Sequence, residues 1–370
     1  VDDANPAYAF DLDVGFVAEA PASVRTDFGE GPLPGETRVR LRVERAPQTF
    51  AVPLEREPAL VRVDPAAWIL SSWTSSLGTD VHAAIVRGDP SPVARIRAAK
   101  ALAKDGGRVA REALVHALAH DPFWGVGVEV ASALGASRAP SARETLLANV
   151  AHPHPKVRRA VAEALGRWRD ERVASALLAM RDDVSYFVIA AALHALGKTR
   201  DPRAFDALVA GTSTPSWNET IAAGAARGLG DLADARALPV LLDALKPERH
   251  EALRRAAIGA LGKLGTLVDS VRTEVVDAIA HTLYDAGYLV RVSAFAAAER
   301  LEDPRLLPVL DRLAASEDDG RLRRDAAEAA IRIRDAQQKP AALAELRDEV
   351  DRLREESQRL RERLEELGAK

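Results

Sequence analysis

Val157-Arg158-Arg159-Ala160-Val161-Ala162-Glu163-Ala164-Leu165-Gly166 and Leu253-Arg254-Arg255-Ala256-Ala257-Ile258-Gly259-Ala260-Leu261-Gly262 are one phrase written twice. Its ending returns in Glu129-Val130-Ala131-Ser132-Ala133-Leu134-Gly135 and in Ala191-Ala192-Leu193-His194-Ala195-Leu196-Gly197. With the closing apolar residue as anchor, the series is Leu102, Leu134, Leu165, Leu196, Leu229, Leu261, Ala298 and Ala330. The intervals are 32, 31, 31, 33, 32, 37 and 32 residues. A fixed period of this length is the mark of stacked supersecondary units. The long interval implies an insertion between Gly265 and Tyr288.

Each unit reads as two helices, as in Asp201-Pro202 followed by Ala204–Val209, a turn, and Ile221–Leu229. Asp-Pro opens helices at Asp89, Asp121, Asp201 and Asp303: the carboxylate caps free amides, and proline gives up an N–H that had no partner. Glycine after the anchor, at 135, 166, 197, 230 and 262, suits the left-handed residue that ends a helix. A two-helix unit cannot bury its apolar stripe alone, so neighbours must stack. Residues 80–335 therefore form a solenoid of about eight HEAT-like repeats, and the fold class is mainly α, an αα-superhelix.

Two smaller regions flank it. Residues 1–75 read as β: Phe10–Val14 and Arg38–Val43 alternate apolar and polar, Thr49–Leu54 and Leu60–Val63 look like further strands, and Gly29, Gly31, Pro32, Pro34 and Gly35 mark a turn. Four short antiparallel strands imply a small sandwich. Residues 336–370 change character. Leu343, Leu346, Val350, Leu353, Leu360, Leu364 and Leu367 keep a 3-4 spacing among charged residues, with Ser357 in the missing slot. This short coiled-coil pattern either self-associates or lies as a solvated helix on the last repeat.

The composition fits. Hydrophobic residues are 47% and aromatics 5% of the 370 residues, a bias toward small side chains and close helix packing. A net charge of −4 argues against a nucleic-acid coat, and no apolar run reaches membrane-span length. Without cysteine there is no disulfide, thiolate site or cysteine nucleophile. The start at Val1 reads as a cut end. The compartment is left open, the cytoplasm ahead of a secreted or periplasmic parent.

No catalytic motif emerges. His116-Ala117-Leu118-Ala119-His120 has the i, i+4 histidines of a zinc-protease helix, but Ala117 replaces the general base and Ala139 stands where a downstream glutamate ligand belongs. His152-Pro153-His154-Pro155 reads as a turn, and Asp182-Asp183 and Asp318-Asp319 as caps. No catalytic or metal residue and no cofactor are assigned. Two ladders stand out. Arg95, Arg158, Arg254, Arg291 and Arg323 each precede an anchor by seven residues. They are either a stripe for anions or carboxylates, or bridges to capping acids of the next repeat. Trp124, Tyr186 and Tyr288 precede anchors by ten and Trp217 by twelve, with Phe123 and Phe187 alongside. They are either a contact strip for a partner or domain, or packing between repeats.

Pro58-Ala59-Leu60-Val61-Arg62-Val63-Asp64-Pro65-Ala66-Ala67-Trp68-Ile69-Leu70 resembles the close of the sandwich that follows the catalytic domain in aminopeptidase N-type zinc metallopeptidases. Asp121-Pro122-Phe123-Trp124-Gly125-Val126 and Ser185-Tyr186-Phe187-Val188 with Ala190–Leu193 are similar to phrases of that family's bacterial helical domain. The resemblance implies the non-catalytic C-terminal part of such an enzyme, packing on a catalytic domain whose zinc helix and substrate loop would lie before Val1. Zinc would belong to that domain. The partner is then either that domain or, for a HEAT scaffold in its own right, another protein on the concave face. A HEAT-type chromophore lyase is a third reading, disfavoured by the β region.

Overall fold

The computed structural model describes residues 9–19, 21, 32–72, 74–338, 350, 352–353, 355–360 and 363. The chain forms two compact units that divide between Val161 and Ala162.

The first unit opens with a three-stranded antiparallel sheet in the order β2-β1-β3, made by β1 (Phe10–Val17), β2 (Glu36–Val43) and β3 (Leu60–Val63). Alternation sets the register. Asp11 faces Arg42 and Asp13 faces Arg40 across β1 and β2, and each pair closes an ion pair on the exposed face. Val14, Val17 and Leu60 are buried, Val17 and Leu60 paired on one face and Val14 on the other. The expected fourth strand, Thr49–Leu54, does not form: Pro53 lacks the N–H a ladder needs. The sheet is therefore a single layer and not a sandwich. Its β3 packs instead on helix α1 (Thr79–Gly88). Fully buried Arg62 of β3 bridges Glu36 at 2.8 Å and Asp89, just past α1, at 3.0 Å, fastening sheet to helix. Of the turn proposed between β1 and β2, Gly29 and Gly31 lie outside the described residues.

Eight helix pairs follow among the described residues. In the first unit they are α1 with α2 (Pro92–Asp105), α3 (Arg108–His120) with α4 (Trp124–Ser137), and α5 (Pro140–Leu147) with α6 (Pro155–Leu165), the division falling inside α6. In the second they are α7 (Glu171–Ala179) with α8 (Tyr186–Thr199), α9 (Ala204–Gly211) with α10 (Thr220–Leu232), α11 (Ala237–Ala244) with α12 (Glu251–Leu267), α13 (Arg272–Thr282) with α14 (Tyr288–Leu301), and α15 (Leu307–Ser316) with α16 (Gly320–Gln338). Every anchor lies in the second helix of its pair and is at most 4% exposed, so the sequence period is the period of the core.

The post-anchor glycines correct the expectation placed on them. Gly197, Gly230 and Gly262 lie inside α8, α10 and α12, and among the described residues only Gly35 and Gly106 are glycines with positive φ. The left-handed residues that end α4, α8, α10 and α14 are Arg138, Arg200, Ala233 and Glu302, while α12 ends at the extended Val268. The glycines serve approach. A Cβ on Gly197 would lie 2.0 Å from the Gly228 carbonyl oxygen, one on Gly230 2.7 Å from the Ala260 Cα, and one on Gly262 2.9 Å from the Ala297 Cβ. Successive second helices thus touch backbone to backbone, and a side chain at these sites would hold them apart.

The expected insertion is no loop. The extra residues lengthen α12 to 17 residues and add a 3-10 turn, Asp269–Val271, ahead of an 11-residue α13. The Asp-Pro pairs mark turns more than caps. Asp121 accepts from the Phe123 amide and Asp201 from the Arg203 amide, both at 2.9 Å, and α2 is capped by Ser91 instead of Asp89. Asp303 does cap, receiving the Arg305 amide at the start of a 3-10 turn. Its carboxylate also takes both Arg305 and Arg272 guanidinium groups. In the C-terminal segment Val350, Leu353 and Leu360 are helical and exposed, whereas Leu343, Leu346, Leu364 and Leu367 lie outside the described residues, and with them the zipper reading.

Two outcomes follow from this packing. Gly197→Ala lowers stability by about 1–3 kcal/mol or more, because the new methyl meets backbone that cannot swing aside. Gly259→Ala, whose Cβ would meet nothing within 4 Å, raises it by about 0.5–1 kcal/mol through helix propensity. Urea titration of both variants checks the pair, and equal effects would mean that α8 and α10 part freely. Hydrogen bonds from Arg305, with Arg272 adding to them, hold the Asp303 carboxyl well below the ordinary aspartate value of 3.8. The folded chain keeps this group ionised where the unfolded chain protonates it, so its stabilisation is complete above the ordinary value and drains away as pH falls. Asp303→Asn is expected to lower stability at neutral pH and to flatten the acid limb of a stability–pH curve below about pH 4.

Candidate protein-interaction surface

The arginine ladder is placed by the second helices, one turn into each, and the structure shows where its charges go. Arg95 is fully buried; it grips Asp121 of the next repeat through two bonds of 2.7 and 2.9 Å and donates to the Asp89 and Pro90 carbonyls. Arg254 pairs with Asp285 and donates to the Leu245 carbonyl; Arg291 pairs with Glu317 and donates to the Leu283 carbonyl. Arg158 donates to the His152 and Pro153 carbonyls, and Arg323 to the Glu317 carbonyl. At Arg95, Arg254 and Arg291 a guanidinium joins the second helix to an acid in the turn of the following repeat, while the carbonyls it covers are those the inter-helix turn leaves open. These donors are spent within the repeats. Arg95, Arg254 and Arg291 bridge to acids, whereas Arg158 and Arg323 donate to carbonyls of their own turns.

The aromatic ladder is different. In the first unit Trp124 begins α4 and keeps a partly exposed ring, tilted against Phe123, which is half-buried. His154 stacks on it at 5.5 Å and 9°, and the Lys156 ammonium sits 3.8 Å from the ring centroid, a cation–π contact. In the second unit Tyr186 and Phe187 begin α8 with ring centroids 4.4 Å apart; Tyr186 is half-buried, Phe187 exposed. Trp217, in the 3-10 turn before α10, is 69% exposed, and Tyr288 at the start of α14 is also exposed. The anchor phase explains the position: ten residues before a buried anchor on a helix is the first turn, where the chain has just left the inter-helix turn. The sequence reading missed Val184, almost wholly exposed beside Tyr186, and Tyr284 and Leu289 beside Tyr288. Lying off the ten-residue spacing, they gave no periodic signal.

The remaining motifs assemble no reaction centre among the described residues. His116 and His120 stack at 4.9 Å, and burial together with the neighbouring His120 keeps His116 below the usual imidazole range. No group of three or more His, Cys, Asp or Glu that could hold a metal stands among the described residues. His152 accepts the His154 amide and His154 the Lys156 amide, so this turn is tied by its own imidazoles. A cavity of about 390 Å³ between β3, α1 and α2 is floored by Val61, Ile85, Ala98 and Leu102. In it the Ser75 hydroxyl lies 3.2 Å from His82 Nε2, while the nearby Asp105 carboxylate is taken by the Thr79 hydroxyl and the Gly107 amide. No carboxylate hydrogen-bonds that imidazole among the described residues, so a Ser–His–Asp relay is not formed. No helix among the described residues is long and apolar enough to cross a membrane.

Arg95→Ala strands Asp121, itself buried, and is expected to cost about 3–5 kcal/mol. Arg323→Ala, at an exposed position, is expected to cost under about 1 kcal/mol. Denaturant titration of the two variants side by side measures the gap, and a ladder built for an external anion would show no such gap.

A family model of HEAT repeats matches residues 79–154, 144–224 and 214–286, together more than half of the chain. No curated protein matches the sequence. Among solved structures, the complex of CpcE and CpcF of phycocyanin lyase from Nostoc sp. PCC7120 is similar at 21% identity, over 72% of this chain and 96% of that one, with a TM-score of 0.43. Yeast importin-β is similar at 14% identity, over 69% and 40%, with a TM-score of 0.49. Human deoxyhypusine hydroxylase is similar at 20% identity, over 69% and 95%, with a TM-score of 0.32. These are likenesses of fold alone. The HEAT match overturns the aminopeptidase N resemblance: the helical phrases that suggested it are the inter-helix corners of HEAT units. The Pro58–Leu70 phrase has a local cause too, since the Asp64 carboxylate accepts the Trp68 and Ile69 amides, both at 3.0 Å, and fixes that turn. The chain belongs to the HEAT-repeat family.

Proposed function

We propose that this chain is a protein-binding HEAT scaffold, and that the aromatic residues at the corners of its second helices are contact points for a protein partner. One observation carries the reading: in a chain with only 5% aromatic residues, Phe187 and Tyr288 stand exposed at the starts of second helices and Trp217 in the turn just before one, while Phe295 and Trp168 are the rings the repeat core encloses. A packing role asks for enclosed rings, and these rings are open to solvent. Large amphipathic side chains held on rigid helices lose little freedom on binding and bury much area, which suits them as anchors. Stacked repeats also supply a broad surface for a second protein.

The triple variant Phe187→Ser, Trp217→Ser and Tyr288→Ser tests this. Its melting temperature is expected to stay within a few degrees of the parent chain. Affinity capture with quantitative mass spectrometry is expected to show loss of the proteins that the parent chain retains, at about 1 kcal/mol or more per anchor. An unchanged captured set would overturn the proposal.

A further inference from the structure

In the second unit the second helices present a face whose charges do not balance. α8, α10 and α12 lie side by side, Gly197 against Gly228 and Gly230 against Ala260, so their outward side chains are forced close together. Lys198 of α8 and Arg227 of α10 have neither an ion pair nor a hydrogen-bond acceptor among the described residues. Arg227 is exposed, yet partial desolvation against its neighbours holds it below the usual arginine range, and the charge of Arg255 on α12 adds to it. Burial likewise lowers Lys198, where Asp231 and Glu163 oppose the shift and Lys263 and Arg167 reinforce it. Asp231 is the buried carboxylate at the centre, and it is already claimed by His194 at 3.1 Å and by Lys263. Arg255 has Glu251 at 4.0 Å, so among the described residues five cations stand against three carboxylates, Asp231, Glu163 and Glu251, although the chain as a whole carries a net charge of −4.

The first helices handle arginine in another way. Arg203, Arg236 and Arg305 each bind the aspartate two residues earlier, Asp201, Asp234 and Asp303, and neutralise themselves. Crowded, undercompensated cations on one face are unfavourable for the free protein and are relieved when anions arrive. The helices of that face begin with Tyr186 and Phe187 at α8 and follow Trp217 at α10, so cations and exposed aromatic anchors share the face's helices.

We infer that the second-helix face of α8, α10 and α12 receives an acidic protein segment, its carboxylates meeting Lys198, Arg227 and Arg255 and its apolar residues meeting the aromatic corners. This rests on the scaffold reading and adds the chemistry of the partner. A polynucleotide is the less fitting occupant, because a face that tracks a phosphate backbone needs a long basic stripe on a basic domain, and here the patch is short and the chain acidic. Acid-and-apolar segments match both features at once.

The test uses the full chain and three fluorescein-labelled probes. One is a peptide of roughly 20 residues of Asp, Glu, Leu and Phe, an interface-sized stretch. The second is its isostere with Asn and Gln for the acids, and the third a single-stranded DNA of similar length. Fluorescence anisotropy is expected to show the acidic peptide binding at least about tenfold tighter than the isostere, weakening as salt rises. Arg227→Glu with Arg255→Glu is expected to reduce that affinity about tenfold or more, while Arg181→Glu with Arg312→Glu, on first-helix segments, leaves it unchanged. Circular dichroism melts show whether the variants keep the fold; if the double reversal unfolds, Arg227→Gln with Arg255→Gln replaces it and is expected to act in the same direction. Equal binding of peptide and isostere, indifference to the charge changes, or tighter binding of DNA would each overturn the inference. If the charge variants leave peptide binding intact while the aromatic triple variant still loses its captured proteins, only the acidic partner falls and the scaffold reading stands.

Discussion

Backbone contact between successive second helices is the constraint from which the rest of the structure follows. Where Gly197 meets Gly228, no Cβ intervenes, and α8 and α10 approach as closely as their main chains allow. Gly230 on Ala260 and Gly262 on Ala297 repeat the arrangement along the second unit. Close approach maximises dispersion contact between small side chains and explains how a chain poor in aromatic residues fills its core. It also removes rotational freedom from each helix. With the backbone seam fixed, the residues seven before each anchor and those at the helix start take set positions, which is why arginine and aromatic ladders exist at all.

The two ladders have the same periodic origin and opposite fates. Arginines one turn into the second helix point back to the preceding turn, where bare carbonyls and the acid of the next repeat lie within reach. Arg95 satisfies both and is buried in doing so. A guanidinium has five donors in a planar fork, so one residue can close a turn and join two repeats. Residues at the helix start meet ring and cation–π neighbours instead, as Trp124 meets His154 and Lys156 and Tyr186 meets Phe187. Their side chains leave the packed seam, and Trp217 and Phe187 remain in water. An apolar ring in solvent adds little to repeat stability, and the proposed protein contact would give it a use.

Charge is distributed by the same logic. First helices carry Asp-x-Arg turns in which acid and base cancel within three residues, as at Asp234 and Arg236. Second helices gather lysine and arginine from neighbouring repeats around one buried carboxylate, Asp231. A net charge read over the whole chain averages these two surfaces and hides both. The acidic total gave no hint that Lys198 and Arg227 would stand on adjacent helices with no ion pair among the described residues.

The sequence by itself determined the repeat, its period and its core. Leu102 through Ala330 are all buried because a residue that recurs at a fixed place in a stacked unit must meet the same neighbours each time. It also determined where the aromatic residues would emerge, since the distance from a buried anchor to the first turn of its helix is fixed by helix geometry. The meaning of the post-anchor glycines was not legible: a glycine that ends a helix and one that admits another helix look alike in one dimension. The family was misread for a related reason. Asp121-Pro122-Phe123-Trp124 and Pro58–Leu70 are turn phrases, and turns obey local hydrogen-bonding rules that unrelated proteins share. Tertiary structure alone decided which arginines are consumed and which cations are left over, because that depends on acids about 30 residues away in sequence and one repeat away in space.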